Sequence, residues 1–164
     1  MELVGRKSIL WNYLSVEIRD LITDGEVLLR LAEELPNKNV ISDYSYLVFP
    51  FSKGYEGFLK KLFLDLGMIK EDEYYGDDIR IGRILNPSYI HELTSVYKKL
   101  SGGKDSREDV ASEMWEMWRK GRNQVFHYFP HNFRKLSYDE ALAIIKRLVG
   151  VMEIAVARCK LTIS

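Results

Sequence analysis

Hydrophobic positions along most of the chain recur with a helical period and rarely alternate. In residues 8–22 apolar side chains return about every 3.6 positions, which predicts an amphipathic helix. Thr23-Asp24-Gly25 predicts an interruption, and the helical pattern resumes over residues 26–35 until Pro36. The N-terminal part of the chain is therefore expected to be helical.

The middle of the chain predicts a loop, a helix and a second loop. Residues 43–51 are aromatic and irregular, and Pro50 favours a packed loop over a short buried strand. Ser52 predicts the N-cap of a helix whose end at Gly67 fits a C-cap. Residues 71–78 contain five acidic and no basic side chains, which predicts a solvated loop.

Three further helices are expected in the C-terminal half. One follows Pro87 and ends near residue 102, and a longer one covers residues 106–129. The last begins after Ser137, because Glu140 is placed to close a capping box with the Ser137 amide. No repeat or long linker divides the chain, so residues 1–164 are predicted to form one all-α helical bundle.

Composition excludes several classes of protein. With 24 basic and 24 acidic residues, the formal net charge is zero, which argues against a surface that is basic throughout. Cys159 is the single cysteine, so an internal disulfide and a four-cysteine zinc site are excluded. Because residues 1–14 lack a secretory signal and no segment has ~18 consecutive apolar residues, a cytoplasmic protein without a membrane partner is expected.

A charged residue stands near the centre of an apolar stripe in residues 106–129. On a helical wheel, the residues within roughly 60° of Arg122 are Ala111, Trp115, Trp118, Val125 and Phe126. A buried guanidinium needs acceptors, which can be a carboxylate of this chain, helix-end carbonyls or an external phosphate. Glu56 is the candidate carboxylate. A purely structural Arg122–Glu56 ion pair fits the pattern as well as a catalytic one.

His127 and several cations lie close to Arg122 in the sequence. Arg122 and His127 are five residues apart, roughly 140° around an ideal helix, so their convergence needs an extended Arg side chain, an unwound turn before Pro130 or a symmetric partner. Residues 118–136 contain no acid, which predicts an anion-attracting surface. The candidate nucleic-acid-binding residues there are Arg119, Lys120, Arg134 and Lys135.

Residues 122–127 read R-N-Q-V-F-H near the end of a long helix and precede a loop and a capped helix. This arrangement resembles the HEPN superfamily, whose ribonucleases carry R-x4-6-H at this place. Residues 53–61, K-G-Y-E-G-F-L-K-K, are similar to the preceding helix in RNase LS toxins, where a Glu joins the Arg and His. The resemblance covers residues 52–160, and residues 1–40 are expected to add extra helices.

The resemblance implies a HEPN-like bundle that forms a homodimer and cleaves RNA without a metal or cofactor. Carried over by position, the catalytic residues are Glu56, Arg122 and His127. His127 suits proton transfer near neutral pH and Arg122 suits phosphate binding, while Asn123 can orient the imidazole or bind phosphate. Tyr128 follows His127 directly, instead of by two residues as in toxins paired with nucleotidyltransferases, which favours the RNase LS-like branch. An antitoxin or regulatory protein is an expected partner.

Two alternatives to this interpretation bear on function. The chain can instead be a non-catalytic HEPN-like module that partners a nucleotide-handling enzyme, with Arg122, Glu56 and Asn123 as a structural network. His127 and His131 have the spacing of metal ligands, but Pro130 breaks the helix that such a site requires, so no metal is expected. Met114, Trp115, Met117 and Trp118 are predicted to belong to the core.

Overall fold

The computed structural model of the chain describes residues 1–76, 79–89, 96 and 106–159. Within these ranges the secondary structure is helical, and no strand is present, which confirms the predicted all-α bundle. The helices are α1 (Ile9–Tyr13), α2 (Val16–Glu33), α3 (Ser45–Asp65), α4 (Glu71–Tyr75), α5 (Ile81–Leu85), α6 (Ser106–Trp118), α7 (Gln124–Phe126) and α8 (Tyr138–Cys159). A π-helical turn, Arg119–Asn123, joins α6 to α7.

Helix α3 is the central helix of the bundle. It packs against α2 and α8, and α8 also packs against α1 and α6. Its buried side chains include Tyr55, Phe58 and Phe63, none of which is exposed to solvent. Cys159, in the last turn of α8, is partly buried against the core. Helix α3 also contacts the π-helical turn and α7, which brings these elements beside it.

The predicted interruption at Thr23-Asp24-Gly25 is wrong. The chain breaks earlier, at Leu14 and Ser15, whose backbones are extended, and α2 then runs through Gly25 without a break. Gly25 serves packing instead of a turn, because a Cβ there would lie 2.4 Å from Cε2 of the rigid Phe51 ring. The glycine therefore lets α2 approach α3 closely.

The loop predicted for residues 43–51 and the N-cap predicted at Ser52 are also wrong. Helix α3 begins at Ser45, continues through Pro50 and buries Ser52 in its interior. Proline removes one backbone donor, but Leu47, Val48 and Phe51 are completely buried on either side of it. Their burial stabilises the helix, since each fully buried aliphatic or aromatic side chain contributes about 1.5–3 kcal/mol.

The acidic segment after Gly67 contains a short helix where the sequence predicted a solvated loop. Three acidic residues form the first turn of α4, where the helix dipole favours negative charge. The Glu73 carboxylate accepts the Lys70 amide at 2.8 Å, which closes the N-terminal end of the helix. Residues 77 and 78, at the end of this segment, lie outside the described residues.

Two predicted helix boundaries are confirmed by local chemistry. Gly67 has φ +61°, and the next amide, that of Met68, donates to the Phe63 carbonyl at 2.8 Å, as in a glycine C-cap. The Glu140 carboxylate accepts the Ser137 amide at 2.8 Å immediately before α8. Helix α6 is described from Ser106 onward, and the residues just before it lie outside the described ranges. The helix predicted after Pro87 lies largely outside the described residues.

A buried carboxylate fixes the N-terminal residues to α2. Glu26 is 7% exposed and accepts the amides of Leu3 and Val4 at 2.8 and 3.3 Å. It also forms an ion pair with Arg6. None of the described helices has the length and apolar character needed to span a lipid bilayer.

Candidate active site

The π-helical turn is held against α3 and α8 by small residues. The Ser52 hydroxyl, buried in α3, donates a hydrogen bond to the Gly121 carbonyl. A Cβ at Gly121 would lie 2.9 Å from Cδ2 of Leu148, which is itself fully buried in α8. The glycine and the serine thus set how closely the turn approaches α3, and Arg122 follows directly.

Arg122 is oriented by three neighbours. Its Nε donates to Glu56 Oε2 at 3.1 Å and its Nη1 donates to Asn123 Oδ1 at 3.0 Å. Its Cζ also lies 4.6 Å from the centroid of the Trp118 ring, within the range of a cation–π contact. The Arg122–Glu56 ion pair that the sequence predicted is therefore present.

The expectation that Arg122 is buried is wrong, because its side chain is 38% exposed and that of Glu56 is 32% exposed. Hydrogen bonds in a π turn reach five residues back, which places an extra residue in the turn and shifts the face that follows. Gly121 takes the buried position, so Arg122 lies at the edge of the stripe and Phe126 is 43% exposed. The aromatic and sulfur-containing side chains of α6 pack in or against the core, as predicted: Met114, Trp115, Met117 and Trp118.

His127 stands where the helix ends. Its backbone is extended, with φ −90° and ψ 127°, and the residue is exposed. Within the described part of the chain its imidazole has no hydrogen-bond or ion-pair partner.

One cavity of about 380 Å³ brings the four predicted catalytic residues together. Its lining consists of Phe49, Ser52, Lys53, Glu56, Arg122, Asn123, Phe126 and His127. Glu56 is 66 residues from Arg122 in the sequence, so tertiary packing creates this arrangement. The cavity offers a carboxylate, a guanidinium, an amide and an imidazole, which is a donor set for phosphate binding and proton transfer.

The four predicted nucleic-acid-binding cations lie outside this cavity. Lys120 forms an ion pair with Glu116 at 2.6 Å, and Arg134 lies 3.9 Å from the centroid of the Phe129 ring. Arg119 and Lys135 are exposed. The absence of acids in residues 118–136 is thus partly offset by carboxylates from elsewhere in the chain, Glu116 among them.

Sequence reasoning missed the wall of the cavity that α3 provides. Phe49 and Phe126 meet edge to face with ring centroids 5.6 Å apart, and Lys53 is exposed beside Glu56. Lys53 and Glu56 are three residues apart, a spacing that places two side chains on one helical face. The spacing of Lys53 and Glu56 could have indicated this wall, but the sequence pattern predicts a loop at Phe49.

Asp43 ties the loop after His127 to the start of α3. Its carboxylate accepts hydrogen bonds from Asn132 Nδ2 at 2.9 Å and from the Leu136 amide at 3.1 Å. It also accepts the Ser45 amide and hydroxyl at 2.9 and 2.6 Å. Burial raises the pKa of Asp43, but these hydrogen bonds outweigh it and lower the pKa to about 2.

Potential metal ligands are scattered in the part of the chain that the structure describes. There, no three His, Cys, Asp or Glu side chains lie close enough together to hold a metal ion.

Comparison with known families agrees with the helical fold. Residues 26–100, slightly less than half of the chain, match the family described as RnaseLS-like HEPN. No curated protein and no solved structure matches the chain. This match supports a HEPN domain of the RNase LS-like type in the chain. The matched segment includes Glu56 and ends before Arg122 and His127.

Proposed function

We propose that the protein is a metal-independent endoribonuclease of the HEPN type that cleaves single-stranded RNA. The observation that carries this proposal is the contact between Glu56 and Arg122, 3.1 Å between Oε2 and Nε. It joins a helix inside the family match to an R-N-x-x-x-H motif outside that match, and His127 lines the same cavity. Two independent signals of the same family thus meet at one place in the structure.

In the proposed reaction, the 2′-hydroxyl of the RNA attacks the adjacent phosphate. His127 accepts the 2′ proton, the P–O2′ bond forms, the P–O5′ bond breaks and the departing 5′ oxygen takes a proton from water. Arg122 has five N–H groups, of which one on Nε and one on Nη1 are engaged by Glu56 and Asn123. The remaining N–H groups can bind phosphate oxygens as negative charge develops. The products are a 2′,3′-cyclic phosphate and a 5′-hydroxyl.

The proposal also includes the partners of the protein, its cellular location and its biological role. The protein acts on RNA in the cytoplasm as a homodimer, in a toxin–antitoxin or defence role, and an antitoxin or regulatory protein restrains it. Asn123 is assigned to orient Arg122, since its Oδ1 accepts from Nη1. Arg119, Lys120, Arg134 and Lys135 are proposed as outlying contacts to RNA phosphates.

The test is cleavage of an end-labelled single-stranded RNA by the purified protein in excess EDTA. Parent, Arg122→Ala and His127→Ala are compared, and the end groups of the products are determined. Cleavage by the parent alone, leaving 5′-hydroxyl ends, supports the proposal. Three equally inactive preparations with intact fold on several RNAs would overturn it, and three equally active ones indicate a contaminating nuclease.

A second candidate function is a non-catalytic interaction module. Its support is the ion pair itself, because Glu56 and Asn123 already satisfy part of Arg122, as in a structural network. Expression in a host separates the two candidates. An unrestrained ribonuclease slows growth and His127→Ala relieves that effect, whereas a module is harmless in both forms.

A further inference from the structure

A second, larger groove adjoins the candidate active site. It measures about 690 Å³ and is formed by the start of α2, the outer face of α3 and the end of α4. Lys53 and Glu56 line both this groove and the cavity that contains Arg122 and His127. The two openings therefore share a wall, and a strand bound in the cavity has a continuous path into the groove.

The α3 side of the groove carries two lysines, Lys53 and Lys60, and one carboxylate, Glu56, which is paired with Arg122. Lys53 and Lys60 are seven residues apart, which is two helical turns and about 10.5 Å along the axis, so they lie on one face. Within the described residues neither has a carboxylate partner, whereas the adjacent Lys61 binds Asp65 at 3.1 Å. Unpaired lysines in a row on one helix suit the backbone of a nucleic acid.

The opposite side of the groove carries aromatic rings. Tyr75, the last residue of α4, is 82% exposed, and its ring meets that of Tyr74 edge to face at 5.0 Å. Tyr74 is only partly exposed and fixes the position of its neighbour. An exposed ring beside a positively charged track is the combination that proteins use to bind single strands, since every base can stack on it.

A carboxylate at the start of α2 makes this side of the groove electrostatically different from the side that carries the lysines. Glu17 lines the groove there, and hydrogen bonding with Ser15 lowers the pKa of its carboxyl group. A carboxylate repels phosphate but accepts the amino groups of bases. Phosphates are thereby directed toward α3, and bases toward α2 and α4.

We propose that this groove is the binding subsite for the RNA strand that flanks the scissile phosphate. Lys53 and Lys60 bind its phosphates, Tyr75 stacks on a base and Glu17 accepts a base amino group. The inference rests on the proposed ribonuclease function. It places recognition of the flanking strand on α2, α3 and α4, beside the cavity.

The first test measures binding without cleavage. A His127→Ala protein is titrated against a fluorescein-labelled 12-nucleotide single-stranded RNA by fluorescence anisotropy. Lys60→Ala and Tyr75→Ala are each expected to raise Kd about 5- to 10-fold, and Tyr75→Phe to preserve it. Lys60→Ala should also reduce the slope of log Kd against log salt by about 0.7. The matched controls, Lys146→Ala and Tyr89→Ala, lie outside the groove and should leave Kd unchanged.

The second test uses cleavage-competent protein. Lys60→Ala and Tyr75→Ala should raise KM for the 12-nucleotide RNA, with kcat unchanged and a smaller effect on a dinucleotide, which lacks most of the flanking strand. Equal Kd and KM values for parent and both variants would overturn the subsite, even if cleavage occurs. Absence of single-stranded RNA binding would also overturn it. Binding that depends on Lys60 and Tyr75 without any cleavage supports the subsite and removes the ribonuclease assignment.

Discussion

Arg122 combines a fixed orientation with unused donors. Its Nε and Nη1 are engaged by Glu56 and Asn123, and its partial exposure leaves the far side of the guanidinium open to the cavity. A lysine at this position has neither the planar fork nor the reach to bind Glu56 and phosphate together. A positive charge alone therefore cannot replace the Arg122 guanidinium.

Arg122→Lys is accordingly expected to lose nearly as much activity as Arg122→Ala. Loss of one stabilising donor group from the transition state costs about 100- to 1,000-fold in rate. The measurement is kcat/KM on the same labelled RNA. Thermal unfolding should show little change, because exposed ion pairs contribute about 0–1 kcal/mol. Activity in Arg122→Lys near that of the parent would contradict the role given to the guanidinium.

Glu56 is expected to act through Arg122. Glu56→Gln retains an acceptor for Nε and should keep most of the activity, whereas Glu56→Ala leaves Arg122 without its 3.1 Å partner and should lower kcat more than it raises KM. Comparing Glu56→Gln with Glu56→Ala separates the effect of orienting Arg122 from the effect of the carboxylate charge. If Gln and Ala reduced kcat equally, the carboxylate charge itself would be required, and the positioning role would be wrong.

At the residue scale, the sequence could predict which residues of the candidate site lie together, because chemistry restricts the residue types. Arg122, His127 and Glu56 were all selected from their sequence context, and they line one cavity. Burial of Arg122 was predicted wrongly, since a regular helical wheel does not include a π turn. No local signal in the sequence marks that turn, which depends on Gly121 packing against Leu148.

At the scale of elements, sequence signals worked where capping is local. Gly67 and Ser137 satisfy backbone groups a few residues away, so their motifs are complete in the sequence. Helix α3 is different, because its first turns contain Pro50 and are stabilised by burial against other helices. Tertiary packing overrides local propensity there, and the sequence pattern alone indicates a loop.

The π turn gives a prediction at this scale. Gly121→Ala places a methyl group 2.9 Å from Leu148 Cδ2, so the turn must move away from α8, and Arg122 moves with it. Overpacking of this kind costs about 1–3 kcal/mol, and a marked loss of activity is expected. Urea unfolding and cleavage rates are the measurements.

Gly150→Ala is the matched control, because a Cβ at Gly150 meets nothing within 4 Å. That substitution in helix α8 should leave activity unchanged and stabilise the protein by about 0.4–1 kcal/mol. A neutral effect of Gly121→Ala on both stability and rate would mean that the approach of the turn to α8 is not tight.

At the scale of the whole molecule, Asp43 links acid stability to the loop beside the site. Its folded pKa of about 2 is below the usual value of 3.8, so ionised Asp43 stabilises the fold above about pH 4. That contribution is lost as the pH falls from about 4 to 2. Parent protein should therefore lose stability over this window in urea unfolding.

Asp43→Asn should be less stable than the parent at pH 7 by about 1–2 kcal/mol, since the hydrogen bonds to a charged acceptor are weakened. The difference should narrow as the pH approaches 2, where Asp43 of the parent becomes protonated. The measurement is the free energy of unfolding of both proteins at pH 7, 4 and 2.5. A constant difference across the range would exclude Asp43 as the titrating group.

The hydrogen bond between Ser52 and Gly121 spans 69 residues, and Gly121 in turn rests on Leu148. A ribosome releases the chain from its N-terminus, so α3 emerges long before the turn that completes the cavity. The cavity cannot form until most of α8 has been synthesised and has packed.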